Sequence, residues 1–168
     1  MPKIIENLEN RLIEETRKQI QHQGYGAVTI RSVAAACGVG VGTVYNYFPS
    51  KDDLLAAYML KDWTGCITAI QEVSSDAASA AAVMRCSYDQ LHAFASRYQD
   101  LFQDPAARSA FGSAQSRYHG MLRSQLAQPI ARFCDSAFVS EFVAEALLTW
   151  TLEGKSFDEI YGIIGKIL

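Results

Sequence analysis

The sequence predicts an all-α fold of about nine helices. Apolar residues recur at helical spacing along most of the 168 residues, and no stretch alternates as a half-buried strand would. Glycines, prolines and capping residues fall between these periodic segments, and all four prolines stand where predicted helices start or stop. The pattern places three helices before residue 50 and six after it.

Individual helix boundaries follow from local signals. Gly24 favours the end of the first helix, and Thr29 is a good N-cap for the second. Ser50 caps the long fourth helix, and Ser156 with Glu159 matches the capping box of the last. The predicted helices cover residues 3–23, 30–37, 41–47, 51–75, 78–102, two segments of 105–133 divided at Gly112, 137–153 and 157–167.

The composition is that of a globular protein with an uneven charge distribution. Apolar residues make up 49% and charged residues 20% of the chain, whose formal net charge is −3. Residues 1–61 carry seven Lys or Arg against six Asp or Glu, whereas residues 62–168 carry eight against twelve. A near-neutral head on an acidic body permits DNA binding by the head. Because the chain has no apolar run of about 18 residues and no signal-peptide pattern, we expect a cytoplasmic protein without membrane contact.

The first 50 residues are typical of a helix-turn-helix, with a glycine-containing turn between the second and third helices. The third helix suits a recognition helix in the DNA major groove, because Gly42 permits a close backbone approach. Hydroxyls and amides there can reach base edges or phosphates, a following lysine can neutralise a phosphate, and Val44 and Phe48 can face the core. The residues expected to contact DNA on these grounds are Gly42, Thr43, Tyr45, Asn46, Tyr47 and Lys51.

The same residues resemble a known family. The pattern Thr-Ile-Arg-x-Val-Ala-x-x-Cys-Gly-Val-x-x-Gly-Thr-Val-Tyr-x-Tyr-Phe-Pro-Ser-Lys-x-x-Leu, which begins at Thr29, is similar to the N-terminal signature of the TetR/AcrR family of bacterial transcriptional repressors. The resemblance covers about residues 5–60. It implies a three-helix DNA-binding domain, residues 1–50, and a divergent helical domain, residues 51–168, that binds a small-molecule inducer.

The resemblance also implies partners and further contacts. It implies a homodimer built on the last two long helices, which binds a pseudo-palindromic, double-stranded operator and is released by the inducer. By position, Thr29 and Arg31 match family residues that contact phosphate or an outer base. Gly42 and Thr43 match the base-reading start of the recognition helix, while two tyrosines and the lysine match phosphate contacts.

Two positions depart from the family pattern. Gly40 stands where the family usually has Ser or Thr, so this position can still cap the helix but has no hydroxyl for a phosphate. Val41 stands at an often polar, base-reading position, and its side chain can at most touch a thymine methyl. These departures keep open an alternative function, a helical protein-interaction module with a degenerate DNA-binding head.

The body offers candidate residues for a ligand pocket and for a dimer interface. Aromatic and polar side chains on predicted interior faces are the pocket candidates, although core packing explains each of them as well: Tyr58, Trp63, Tyr88, His92, Phe111, Tyr118 and Phe142. The helix at 137–153 is apolar on more than one face, and the last helix contains Gly162 and Gly165, which would allow another backbone to come close. The candidate interface residues are Phe138, Trp150, Ile160, Gly162, Ile163, Ile164 and Ile167.

Other functional classes have little support. The sequence contains no nucleophile elbow, phosphate-binding loop or metal-ligand spacing, so we expect neither an enzyme nor a metal site nor a cofactor. A thiol-based redox-sensing regulator is a further alternative, because Arg85 adjoins Cys86 and positive charge activates thiols. Buried structural cysteines are the competing interpretation of Cys37, Cys66, Cys86 and Cys134.

Overall fold

The structure, a computed structural model, describes residues 7–168, apart from the side chains of Phe102 and Gln115. Residues 7–168 form eight α-helices and two short 3-10 helices, Tyr25–Ala27 and Leu101–Gln103, and contain no strand, so the predicted fold class is confirmed. The predicted helix start at residue 3 lies outside the described residues. The α-helices are α1 (Leu8–Gln23), α2 (Ile30–Ala36), α3 (Val41–Tyr45), α4 (Lys51–Asp76), α5 (Ala80–Tyr98), α6 (Pro105–Ala131), α7 (Ala137–Leu152) and α8 (Phe157–Ile164).

Local signals mark several helix ends as the sequence predicts. The Ser50 hydroxyl oxygen accepts a hydrogen bond from the backbone N–H of Asp53 at 3.1 Å. Ser156 and Glu159 form the reciprocal capping box at the start of α8. Gly24 follows α1 with a φ of 76°, a left-handed conformation that costs glycine little.

The predicted helix break at Gly112 is wrong, because α6 runs without interruption from Pro105 to Ala131. Pro129 also lies inside the last turn of α6, not at a helix boundary. A glycine in a helix interior costs up to about 1 kcal/mol. Full burial of Leu126 and Ile130 on the same helix stabilises it by roughly 2 kcal/mol each, which outweighs that cost.

The last helix is shorter than the sequence predicts. α8 ends at Ile164, not at residue 167, so Gly165 is a C-cap and not an interior glycine. The Gly165 N–H donates to the Tyr161 carbonyl oxygen at 2.9 Å. A Cβ at position 165 would lie 2.8 Å from that oxygen and 3.1 Å from the Tyr161 ring. The end of its own helix therefore explains this glycine, without a neighbouring backbone.

The described residues form two compact units. The first contains the described residues up to Lys61 together with Asp100–Ser116, and the second contains Asp62–Gln99 and Arg117–Leu168. Helices α4 and α6 therefore contribute residues to both units. Among residues 7–168, none of the helices combines the length and the apolar character that a bilayer crossing requires.

In the first unit, α1 packs against α2 and α2 packs against α3. The side chains of this unit that are at most 1% exposed include Leu12, Tyr25, Val33, Val44 and Leu54. Val44 is the contribution of α3 to this core, so burial of one valine fixes which face of α3 points outward.

In the second unit, α5 packs against α7, and α8 packs against both. Tyr88 on α5 anchors the start of α8, because its hydroxyl donates to the Lys155 carbonyl oxygen at 3.1 Å. The rings of Tyr88 and Phe157 meet edge to face, with centroids 5.6 Å apart. Arg85 lies 4.6 Å from the centroid of the Phe157 ring on the same surface.

Candidate nucleic-acid interface

α3 begins at Gly40, which caps the helix through its backbone alone. Gly40 has a φ of −71° and a ψ of 149°, and no side chain makes a capping hydrogen bond. Its carbonyl oxygen accepts from the Thr43 N–H at 2.9 Å, which starts the helix. Val41 is half-buried beside it. The start of α3 therefore offers a partner no hydroxyl at position 40 and only methyl groups at position 41.

The two sides of the segment 44–48 differ in chemistry. Val44 is 0% and Phe48 is 6% exposed, so the prediction that both face the core is confirmed. Tyr45 and Tyr47 are 52% and 41% exposed, and Asn46 is exposed as well. Their hydroxyl and amide groups are thus available to accept or donate hydrogen bonds to phosphates and base edges.

Space is available beside the exposed side chains of α3. A Cβ at Gly42 would meet no atom within 4 Å, so the backbone there is open to a close approach. Thr43, the next residue, is half-buried. The structure therefore places Gly42, Thr43, Tyr45, Asn46 and Tyr47 on one short segment whose outer side is open.

The start of α2 is fixed by hydrogen bonds on both sides. The Thr29 hydroxyl oxygen accepts from the Ser32 N–H at 3.0 Å, and the Ser32 hydroxyl oxygen accepts from the Thr29 N–H at 3.1 Å. The Ser32 hydroxyl also donates to the Gln19 side-chain oxygen at 2.6 Å, which links α2 to α1. Thr29 and Arg31 are both exposed. The predicted cap at Thr29 is confirmed, while its partner Ser32 was not foreseen.

Lys51 lies against Tyr25. Its Nζ donates to the Tyr25 carbonyl oxygen at 2.9 Å and lies 4.0 Å from the centroid of the Tyr25 ring. The Tyr25 hydroxyl in turn donates to the Asp52 carboxylate. Burial, followed by this hydrogen bond, raises the pKa of the Tyr25 phenol, which stays protonated and able to donate. Sequence reasoning missed Tyr25, whose one signal was a large aromatic residue between two glycines at a helix end.

A sequence profile described as "Bacterial regulatory proteins, tetR family" matches residues 12–58, which include most of α1, all of α2 and α3, and the start of α4. Over these residues the chain resembles the TetR family of regulators. An HTH-type transcriptional regulator of Staphylococcus aureus is 31% identical to it over 90 residues, which are 54% of this chain and 48% of the relative. The chain thus spans about half the length of this curated relative. The profile describes regulatory proteins, and this relative is a transcriptional regulator.

Solved regulators share the helical fold over nearly all of the chain. The transcriptional regulator SCO7518 of Streptomyces coelicolor A3(2) superposes with a TM-score of 0.67 and 16% identity, over 96% of this chain and 98% of that one. FadR of Thermus thermophilus, a TetR-family repressor solved in complex with lauroyl-CoA, superposes with a TM-score of 0.63 and 19% identity, over 94% and 91%. At these identities the similarity establishes the helical fold, including the body that follows the helix-turn-helix.

The seven candidate pocket residues are distributed between the two units. Tyr58, which is buried, and Phe111, which is half-buried, belong to the first unit. In the second unit, the buried Trp63 donates from Nε1 to the Gln125 side-chain oxygen at 2.8 Å. The other four candidates are also in the second unit: Tyr88, His92, Tyr118 and Phe142.

Helices α7 and α8 enclose an apolar groove of about 400 Å³, here called the α7–α8 groove. It brings together one pocket candidate and four interface candidates. The remaining interface candidates Phe138, Gly162 and Ile167 are exposed. The groove is lined by Phe142, Ala146, Trp150, Lys155, Glu159, Ile160, Ile163 and Ile164.

The cysteine thiols of the described residues show no activation, and the same residues form no metal site. Burial raises the pKa of all four cysteine thiols, and at Cys86 the neighbouring Asp89 raises it further. Arg85, the expected activator of Cys86, pairs instead with Asp89 at 3.5 Å. Within residues 7–168, no three His, Cys, Asp or Glu side chains are grouped so as to hold a metal ion.

Proposed function

We propose that this chain is a cytoplasmic, homodimeric transcriptional repressor of the TetR family, which binds a pseudo-palindromic operator through α3 and is released by a small molecule. The observation that carries this proposal is the division of the segment 44–48 into a buried side, Val44 and Phe48, and an exposed side, Tyr45 and Tyr47. Exposed hydroxyls beside an open glycine suit a helix that enters a major groove. Residues 1–50 then act as the DNA-binding domain and residues 51–168 as the ligand-binding and dimerisation domain.

The proposed homodimer rests on exposed apolar side chains of α7 and α8, in and beside the α7–α8 groove. Phe138 is 76% and Ile163 is 71% exposed, although large apolar side chains of a monomer are seldom grouped in the open. A second copy that docks the same surface on its own equivalent would bury them, as in a two-fold symmetric dimer. Such a dimer can present two α3 helices to half-sites about one helical turn of DNA apart.

The proposed inducer site is in the helical body. FadR of Thermus thermophilus has a similar body and was solved with lauroyl-CoA, which supports a small-molecule site in this fold. A ligand lowers DNA affinity only by as much as it distinguishes two conformations of the protein. We assign the site to the candidates of the second unit, Trp63, Tyr88, His92, Tyr118 and Phe142.

Fragment selection from the protein's own genome, followed by anisotropy titrations at several salt concentrations, tests the DNA-binding proposal. Affinity for a retained fragment should fall with salt by about 0.9 logarithmic units per phosphate contact for each logarithmic unit of salt. Tyr47→Ala should weaken binding, whereas Met121→Ala, which removes an exposed apolar side chain from α6, should not. No DNA binding at any salt concentration would favour the protein-interaction module instead.

A further inference from the structure

Tyr25 holds the Lys51 ammonium group from two directions. The Tyr25 carbonyl oxygen accepts a hydrogen bond from Lys51 Nζ at 2.9 Å, and the Tyr25 ring lies below the same nitrogen, 4.0 Å away at its centroid. The ring cannot easily turn away, because Tyr25 is only 1% exposed and its hydroxyl donates to Asp52. Lys51 itself is half-buried, so its side chain is restrained but still accessible to a partner.

Such a restraint matters for a lysine that must meet a phosphate. A free lysine side chain has several rotatable bonds, and fixing it on a partner costs conformational entropy. In the unbound protein the Lys51 side chain already has restricted conformational freedom, because a carbonyl oxygen and an aromatic face bind its ammonium group. Groups that are ordered in advance bind with less entropic cost.

We propose that Tyr25 is a positioning residue for DNA binding, whose carbonyl oxygen and ring hold the Lys51 ammonium group in place to contact a DNA phosphate. Asp52 contributes by fixing the Tyr25 ring. Tyr25 acts through Lys51 and does not itself touch DNA, since it is buried. The inference rests on the proposed function, because it assigns Lys51 to a phosphate.

The first test uses a fluorescein-labelled, mixed-sequence DNA duplex, since phosphate contacts form on any sequence. Lys51→Ala should lower the slope of log affinity against log salt by about 0.9 for each phosphate that the protein no longer neutralises. Tyr25→Leu should lower the affinity at a fixed salt concentration, and the double variant should bind no more weakly than Lys51→Ala. Lys61→Ala is the matched control on the same helix, because Lys61 pairs with Glu14 at 2.7 Å and should leave the slope unchanged.

A second series avoids the risk that the leucine variant unfolds. Tyr25→Phe keeps the ring and its volume, and fluorinated phenylalanines at position 25 then withdraw charge from the ring face at nearly constant size. DNA affinity should fall stepwise with fluorination while the thermal unfolding midpoint stays the same. A residue that only fills the core would not show this dependence. Constant affinity along the folded series would overturn the inference.

Proton NMR of the free protein separates failure of the inference from failure of the proposed function. The Tyr25 ring should shift the signals of the Lys51 Cε protons, and Tyr25→Leu should return them to ordinary positions. Ordinary positions in the wild type would overturn the inference whatever the DNA result. Shifted signals in a protein that binds no duplex at any salt would overturn both proposals and leave the contact a purely structural one.

Discussion

Arg11 and Cys37 are joined by two hydrogen bonds between α1 and the end of α2. The Arg11 guanidinium donates to the Cys37 carbonyl oxygen at 2.9 Å, and the Cys37 thiol donates to the Arg11 carbonyl oxygen at 3.7 Å. A cation at a helix C-terminus satisfies a carbonyl group that has no partner within the helix. Since Cys37 precedes the turn that leads to α3, the pair joins α1 to the start of that turn.

Arg11→Met should therefore lower the free energy of unfolding by about 1 kcal/mol, because it removes a charged donor but keeps most of the apolar stem. Urea denaturation measures the change. Arg17→Met is the matched control on the same helix, because Arg17 pairs only with Glu14 across exposed surface and should cost less than about 0.5 kcal/mol. Equal stability of the two variants would show that the Arg11 contact contributes nothing.

Substitutions at two neighbouring residues of α3 should have different effects, one mainly on stability and the other mainly on DNA affinity. Val44→Ala removes two methyl groups from a fully buried site and should lower the free energy of unfolding by about 2 kcal/mol. Tyr45→Ala removes a side chain that is 52% exposed, so it should change stability by less than about 0.5 kcal/mol while weakening DNA binding. Thermal unfolding and anisotropy titration measure the two effects, and a large stability loss in Tyr45→Ala would contradict the orientation of α3.

Much of the structure of the N-terminal helices could be predicted from the sequence, because each local signal there indicates a single structure. Thr29 and Ser50 each accept the backbone N–H three residues later, as their residue types predict. The spacing of Val44 and Phe48 puts both on one face, which the structure confirms as buried. Side-chain contacts across large separations have no such local signal, so neither the Arg11–Cys37 pair nor the Tyr25–Lys51 contact could be foreseen.

The body is harder to predict because its signals compete. Gly112 favours a break, yet burial elsewhere on α6 outweighs the cost of one glycine. Gly165 suggests a site of close backbone approach, yet it ends its own helix. Aromatic residues at 58 and 111 share an apolar pattern with those of the second unit but belong to the first. Periodicity identifies a buried face without identifying what covers it.

The cysteines should react slowly. Burial raises the pKa of each thiol, so the thiolate fraction at neutral pH is below that of a free cysteine. Iodoacetamide should label the half-buried Cys86 and Cys134 before the buried Cys37 and Cys66, and all four more slowly than glutathione. Raising the pH should speed labelling. Mass spectrometry of timed samples gives the order in which the cysteines are labelled. Rapid labelling of any cysteine at neutral pH would support the alternative of a redox-sensing regulator.

The α7–α8 groove should set the oligomeric state. Ile163→Asp places a charge on a side chain that is 71% exposed, so it should leave the fold intact but shift sedimentation from dimer to monomer. Met121→Asp is the matched control, since Met121 is a 40% exposed apolar residue on α6 that does not line the groove. An unchanged sedimentation coefficient for Ile163→Asp would place the dimer interface elsewhere.

Glu159 should make the stability of α8 depend on pH. The Ser156 N–H donates to its carboxylate at 2.9 Å, and this bond, with the Ser156 hydroxyl and Lys155, holds the pKa of Glu159 below its usual value of 4.5. A lowered folded-state pKa stabilises the protein above the unfolded-state pKa, and this stabilisation disappears as pH falls through the folded-state value.

Glu159→Gln keeps an acceptor but cannot titrate. The unfolding midpoint of the wild type should exceed that of Glu159→Gln at neutral pH, and the difference should vanish on acidification. A pH-independent difference for Glu159→Gln would contradict the capping role.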